Sequence, residues 1–330
     1  MYDYISTRCF LMSKQQTFTR QHESNMGIIL VNKSMKEDEM KYTNYILMII
    51  LSAIWGGSFI FMRVLAPVFG AFGTAALRLL IAGVFLMMVY KVSNYKILWK
   101  RDWKILCIIG VINSAIPFSS FAFAALYIPA SISVVINSMT PMFGSLFAAI
   151  ILGEKLTMQK GMGLVLGTTG VAIISGSKAL PVTMEAYLAI AACLLATVCY
   201  GLAGALIKKY AQKIETQALA GGSQLFAGLS LLPILLVTGV SKPVTLNIGL
   251  MMIVFAILCS AIAYLIYFHL IKEMGPTSAL SVTFLMPVFG ILWGKLILNE
   301  VIYSQMLVGA VVILMGTYLV VRKPKPIVEI

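Results

Sequence analysis

From Tyr45 almost to the C-terminus, apolar positions come in runs of about 17 to 25 residues, the length that carries a helix across a bilayer, and charged residues fall mostly in the gaps. The runs predict ten transmembrane helices, over residues 45–62, 72–90, 104–126, 130–152, 158–176, 186–207, 217–238, 248–271, 277–298 and 302–321. Residues 1–41 break the pattern. They are polar and mixed in charge, with no basic stretch leading into an apolar one, so they read as a disordered cytoplasmic tail and not as a signal peptide. Met26, Met35 and Met40 are alternative starts just before the first helix, and residues 323–330 form a second short tail.

Within the runs, small residues stand where a soluble helix would not want them. The first reads SAIWGGSFIFMR, and each of Gly56 and Gly57 would cost a soluble helix about 1 kcal/mol relative to alanine. In a membrane, small residues instead let neighbouring helices approach closely. Composition agrees: 60% of the 330 residues are apolar and 11% are charged, against about 25% charged in soluble domains.

The net charge of +13 raises the question of a polyanionic partner. With the N-terminus placed in the cytoplasm, fourteen Lys and Arg fall in inner loops and the C-terminal tail, and four (Arg63, Lys178, Lys242, Lys295) fall outside. That is the positive-inside bias, which accounts for the basic charge without nucleic acid and sets both termini in the cytoplasm. The partners this implies are the lipid bilayer and a small solute. Cys9, Cys107, Cys193, Cys199 and Cys259 show no paired spacing and read as small packing residues.

The chain repeats itself. Residues 138–170 align without a gap on residues 284–316, matching Pro141 with Pro287, Gly144 with Gly290, Glu154 with Glu300, Gly163 with Gly309 and Gly170 with Gly316. The same offset of 146 carries Ser114 onto Ser260, and an offset of 145 carries Trp55 and Gly56 onto Tyr200 and Gly201. The repeats occupy residues 42–178 and 186–322. Five helices in each is an odd number, so the second copy enters the membrane from the opposite face. The fold class expected is therefore an all-α integral membrane protein with ten transmembrane helices in two inverted five-helix repeats, the usual construction of secondary transporters.

These residues also carry a resemblance. AIWGGSF in the first helix, ALRLLIAG in the second, and two copies of P-x-F-G followed by a glutamate and a glycine-spaced helix resemble the EamA domains of the drug/metabolite transporter superfamily, over about residues 42–322. The resemblance implies a ten-helix carrier of the plasma (inner) membrane, exporting amino acids, related metabolites or small amphiphiles, with no cofactor. Its four-helix relatives use a glutamate in the first helix to exchange protons, and this chain has none there.

Arg78 lies about six residues inside the second helix, where a charge needs a reason. It either attracts a substrate carboxylate or braces the carbonyls of another helix end. It has no basic counterpart, since Ser223 aligns with it. Polar residues along the middle of the helices, Asn113, Ser114, Asn137, Ser138, Thr140, Ser260 and Thr283, are candidates to line a pathway, with Trp55, Ser58, Tyr200, Tyr264 and Tyr267 beside them. Gly56, Gly57 and Gly201 are expected to allow close packing, and Pro117, Pro141 and Pro287 to loosen or bend their helices. No metal site is expected. His269, near the inner end of its helix, reads as a packing or snorkelling residue. A membrane enzyme would need clustered His, Asp or Glu, which are missing at mid-membrane, and a carrier of nucleotide sugars or other phosphorylated metabolites would need several buried cations where Arg78 stands alone.

Overall fold

The computed structural model describes residues 2–178, 180–274 and 282–322, with side chains from Tyr42 onward except those of Phe268, Ile271, Lys272 and Met274. The chain divides into two compact units, residues 1–47 and 48–330. In the first, the backbone is helical from Tyr2, where the sequence leads us to expect a disordered tail. Its many Lys, Glu, Gln and Met residues all have good intrinsic helix propensity, which polarity alone does not reveal.

The elements in order are α1 (Tyr2–Val92), α2 (Trp99–Gly110), a π-helical segment π1 (Val111–Ala115), α3 (Ile116–Tyr127), α4 (Ala130–Asn137), α5 (Thr140–Leu152), α6 (Met158–Ser175) and α7 (Met184–Tyr210). They continue with α8 (Thr216–Thr238), α9 (Leu246–Ala256), π2 (Ile257–Ile262), α10 (Ala263–Met274), α11 (Val282–Leu298) and α12 (Ser304–Val321). No strand occurs among the described residues. Among the described residues, seven helical stretches are long and apolar enough to cross a membrane, and α11 is a shorter apolar helix. The count of ten crossings thus differs from the count of long apolar helices. One cause is α1, whose apolar part runs 51 residues from Tyr42 to Val92 and is interrupted only at Gly70, with φ +70° and ψ 169°. At 1.5 Å per residue such a stretch is long enough to cross twice. The predicted span 277–298 begins outside the described residues.

The repeat appears in the packing as reciprocal contacts between main chains. A Cβ added to Gly83 would lie 2.8 Å from the Leu225 backbone, and one added to Gly228 would lie 2.8 Å from the Leu80 backbone; an offset of 145 exchanges the two contacts. Between α6 and α12, Gly163 abuts the Gly316 carbonyl (2.6 Å) and Gly170 abuts the Gly309 carbonyl (2.8 Å). As the residue number rises on one helix it falls on the other, so α6 and α12 are antiparallel and the repeats are inverted. Gly56 likewise sits against Met286 and Gly290 of α11 (2.9 Å each), while Gly201 sits against Phe143 and Gly144 of α5 (2.6 Å each). The first helix of each repeat thus packs on the fourth helix of the other.

π1 and π2 start at Val111 and Ile257, again 146 residues apart. Pro117 follows π1 at the start of α3, and its counterpart after π2 is Ala263, so a widened turn forms in the second repeat without a proline at that place. Pro141 stands at the first turn of α5, just past a break at Ser138 and Met139, whereas Pro287 is buried inside a continuous α11. The Ser138 carbonyl at this break accepts a hydrogen bond from Thr317 Oγ1 of the other repeat at 2.8 Å.

Candidate functional site

The site forms where the second half of α1 meets π1, α3, α7, α9, π2 and α10. Arg78 enters from α1, only 3% exposed. Its guanidinium lies over the Phe118 ring at 3.8 Å and the Phe255 ring at 4.5 Å. Nε donates to Ser260 Oγ at 2.6 Å and Nη2 donates to the Cys259 carbonyl at 3.1 Å. Both acceptors belong to π2, where the wider turn changes the backbone hydrogen-bond register and opens main-chain groups to outside partners. Charge-assisted bonds are worth about 1.5–3 kcal/mol each and a desolvated cation–π contact about 2 kcal/mol. Together they offset a burial cost that is at least 2.5–3.5 kcal/mol on insertion scales. The bracing role considered for Arg78 therefore has a geometric basis.

The Tyr200 and Tyr264 hydroxyls lie near enough to feel the Arg78 charge, and Tyr264 stands beside Asn113 and Ser114 of π1. Trp55 adds its ring to Tyr267 (5.2 Å between centroids) and Tyr264 (5.9 Å), and Tyr200 stacks on Phe121 at 6.3 Å. Tyr200, Tyr264 and Tyr267 are enclosed deep in the protein, yet each retains part of its accessible surface. Aromatic rings with polar tips thus gather around the Arg78 charge.

Of the candidate pathway residues, the structure brings together Trp55, Arg78, Asn113, Ser114, Tyr200, Ser260, Tyr264 and Tyr267. Ser58 is buried, and its hydroxyl donates to the Trp55 carbonyl of its own helix at 2.7 Å. Asn137 and Thr140 meet each other across the α4–α5 break, with Thr140 Oγ1 donating to the Asn137 carbonyl at 2.8 Å. Thr283 stands in the first turn of α11, half-buried. Gly57 faces the indole of Trp293, whose Nε1 donates to the Ala53 carbonyl at 3.1 Å.

Sequence reasoning missed several contributors. Phe118 and Phe255 look like any apolar helix residue until the arginine between them is placed. Gln224 is fully buried in α8, and neither of its side-chain polar atoms has a hydrogen-bond partner among the described residues. An amide in the middle of the run AGGSQLFAG was the signal that would have found it. The paired glutamates also differ. Glu300 caps α4, accepting from the Ala130 N–H at 2.7 Å, the Ser131 N–H at 3.1 Å and the Ser131 hydroxyl. Glu154 instead meets Lys208 at 2.8 Å and Lys160 at 3.8 Å, and the hydrogen bond from Lys208 holds its carboxyl below the usual carboxylate range. A left-handed residue precedes each glutamate, Gly153 at φ 72° and Asn299 at φ 53°, turning the chain off the helix end.

Comparison with known proteins gives a family, two relatives and a solved structure of similar fold. The EamA-like transporter family matches residues 43–176 and 187–322, so each repeat is one copy of its domain. The chain is 26% identical over 284 residues to a WAT1-related chloroplastic protein of Arabidopsis thaliana, covering 81% of this chain and 66% of that one. It is 23% identical over 288 residues to a probable terminal-alkyne amino-acid exporter of Streptantibioticus cattleyicolor, covering 86% and 95%. A solved crystal structure superposes with a TM-score of 0.60 at 15% identity, over 84% of this chain and 97% of its own, which shows a shared fold.

Proposed function

The chain belongs to the EamA-like transporter family, and we propose that it is a secondary transporter that exports amino acids or closely related small metabolites. Transport proceeds in this reading by alternating access, with the inverted repeats rocking about the glycine contacts and the solute held between them. The observation that carries it is the gathering of polar-tipped rings around one buried cation: Tyr200 and Tyr264 feel the Arg78 charge, and Trp55 packs on Tyr264 and Tyr267, with elements of both repeats contributing. One buried cation among aromatic rings suits a solute with a single carboxylate and an apolar or moderately polar body. A carrier of phosphorylated metabolites is less well supported, because Arg78 is the one basic side chain fully buried among the described residues. The relative named as a probable amino-acid exporter is consistent with the same substrate class.

In this reading α1 crosses the membrane twice around Gly70, giving ten crossings, with both termini in the cytoplasm and the protein in the plasma (inner) membrane. The positive-inside bias supports that orientation. The test is an export screen. Cells overproducing the full chain are expected to release at least one amino acid into the medium faster than cells carrying an Arg78→Gln version present at equal level in the membrane. Equal release of all amino acids by the two, and by empty cells, would overturn the proposal.

A further inference from the structure

The inverted repeat makes a demand on α8 that its own residues do not meet. In one half, Arg78 of α1 reaches Ser260 of π2. The relation between the repeats carries that pair onto α8 at Ser223 and onto Ser114 of π1. Ser223 is too short to act as an arginine does, and the residue beside it is Gln224.

Contacts place Gln224 and Ser114 in one zone. The Ser223 backbone lies against Gly110, one turn before Ser114, and Ala227 of α8 packs with Ala115 and Phe118. Gln224 and Ser114 fall between these two points of contact. Both are 0% exposed; Ser114 stands within reach of the Tyr264 hydroxyl, while Gln224 Nε2 and Gln224 Oε1 lack a hydrogen-bond partner among the described residues. Two such atoms on one buried amide are costly unless something pairs with them during the working cycle, because each has been removed from water without return.

We propose that Ser114 and Gln224 receive the ammonium group of a zwitterionic amino acid whose carboxylate faces Arg78. This rests on the amino-acid reading above and adds the recognition of the second charged group. Ser114 Oγ and Gln224 Oε1 accept N–H bonds from the ammonium, the same service that Ser260 Oγ performs for Arg78. Gln224 Nε2 is left to donate to the carboxylate. The pair carries no charge, and Arg78, which influences Tyr264 beside Ser114, repels a lone cation there. A zwitterion brings its own negative charge to Arg78, so the site favours amino acids over both simple amines and simple acids.

The experiment uses the purified full chain in detergent and two pairs of probes: L-leucine with 4-methylpentanoate, and L-threonine with 3-hydroxybutanoate. The members of each pair differ only in the amino group, and binding is read from quenching of tryptophan fluorescence. The wild type is expected to bind at least one of the two amino acids about tenfold or more tightly than its deaminated partner, the loss expected when charge-assisted bonds are removed. Gln224→Leu is expected to reduce that preference to about threefold or less while its thermal midpoint stays at or above the wild-type value. Ser114→Ala provides the same comparison should the leucine variant misfold. A preference that survives in both variants overturns this assignment and leaves the amino-acid function standing. Wild-type protein that binds neither amino acid, from cells that export none, overturns both.

Discussion

Arg78 Nε and Ser260 Oγ, 182 positions apart in sequence, are joined at 2.6 Å across the boundary between the two repeats. Arg78 thereby ties the second helix of one half to the widened turn of the other, and its guanidinium plane is held by Phe118 and Phe255. A lysine carries the same charge but lacks the planar fork that bonds the serine and the Cys259 carbonyl together while lying flat between rings. Arg78→Lys is therefore expected to lower stability by about 1–3 kcal/mol, measured as a fall in the thermal midpoint in detergent, and to weaken transport less than Arg78→Gln does. A lysine variant as stable as the wild type would remove the bracing role.

Glycine contacts are expected to fail in matched pairs. Gly83→Val and Gly228→Val each push a side chain into the other repeat's backbone at 2.8 Å, so both should lose monodisperse protein on size-exclusion chromatography to a similar extent. Gly144 has open space where a Cβ would go, so Gly144→Ala should be neutral or stabilise by up to about 1 kcal/mol. If all three behave alike, the seam is not made as described.

The two glutamates should respond differently to the same substitution. Glu300→Gln removes a carboxylate from the N–H groups at the start of α4 and is expected to cost about 1–2 kcal/mol in a denaturation measurement. Glu154→Gln removes an exposed pair and should cost under about 1 kcal/mol. Because Lys208 lowers the Glu154 carboxyl below its unfolded value, its small contribution is present at neutral pH and fades as pH falls into the carboxylate range. The stability curve of Lys208→Met should therefore be flatter than the wild-type curve as pH falls through the carboxylate range, the difference vanishing once Glu154 is protonated.

Orientation can be read by cysteine labelling in a background without native cysteines. Positions Val182 and Lys242 are exposed and should react from outside, and Lys96 and Gln212 should react only once the inner face is opened. Leu180, equally close to the predicted outer loop, is 8% exposed and is a poor reporter. The reverse pattern would invert the proposed topology.

Much of this architecture was legible because hydropathy and repetition are properties of residue type and order. The offset of 146 that aligns Pro141 with Pro287 also aligns π1 with π2. The π turns themselves were not legible: they are changes of backbone hydrogen-bond register, and VINSA and ILCSAI contain nothing that forbids an ordinary helix. Arg78 was found as a buried charge, but one of its two hydrogen-bond partners is a main-chain carbonyl, which every residue possesses. Ser58 shows the ambiguity of a hydroxyl in an apolar helix, which suits a pathway and its own carbonyls equally well. Glu300 was seen as half of a mirrored pair, yet its target, the first N–H groups of α4, depends on where that short helix begins.

Where α6 meets α12 and where α1 meets α8, peptide groups stand among the closest atoms, and peptide groups do not change when side chains do. A joint of this kind works like a standard coupling between two machine parts: whatever is mounted beyond it, the fit is preserved. That leaves each half free to specialise. One carries an arginine at position 78 and the other a serine at position 223, yet Gly83 and Gly228 keep the same seats on either side. An ancestral symmetry held in the main chain thus permits asymmetry in the chemistry, and the difference between the halves gives a two-fold scaffold a solute site with distinguishable ends.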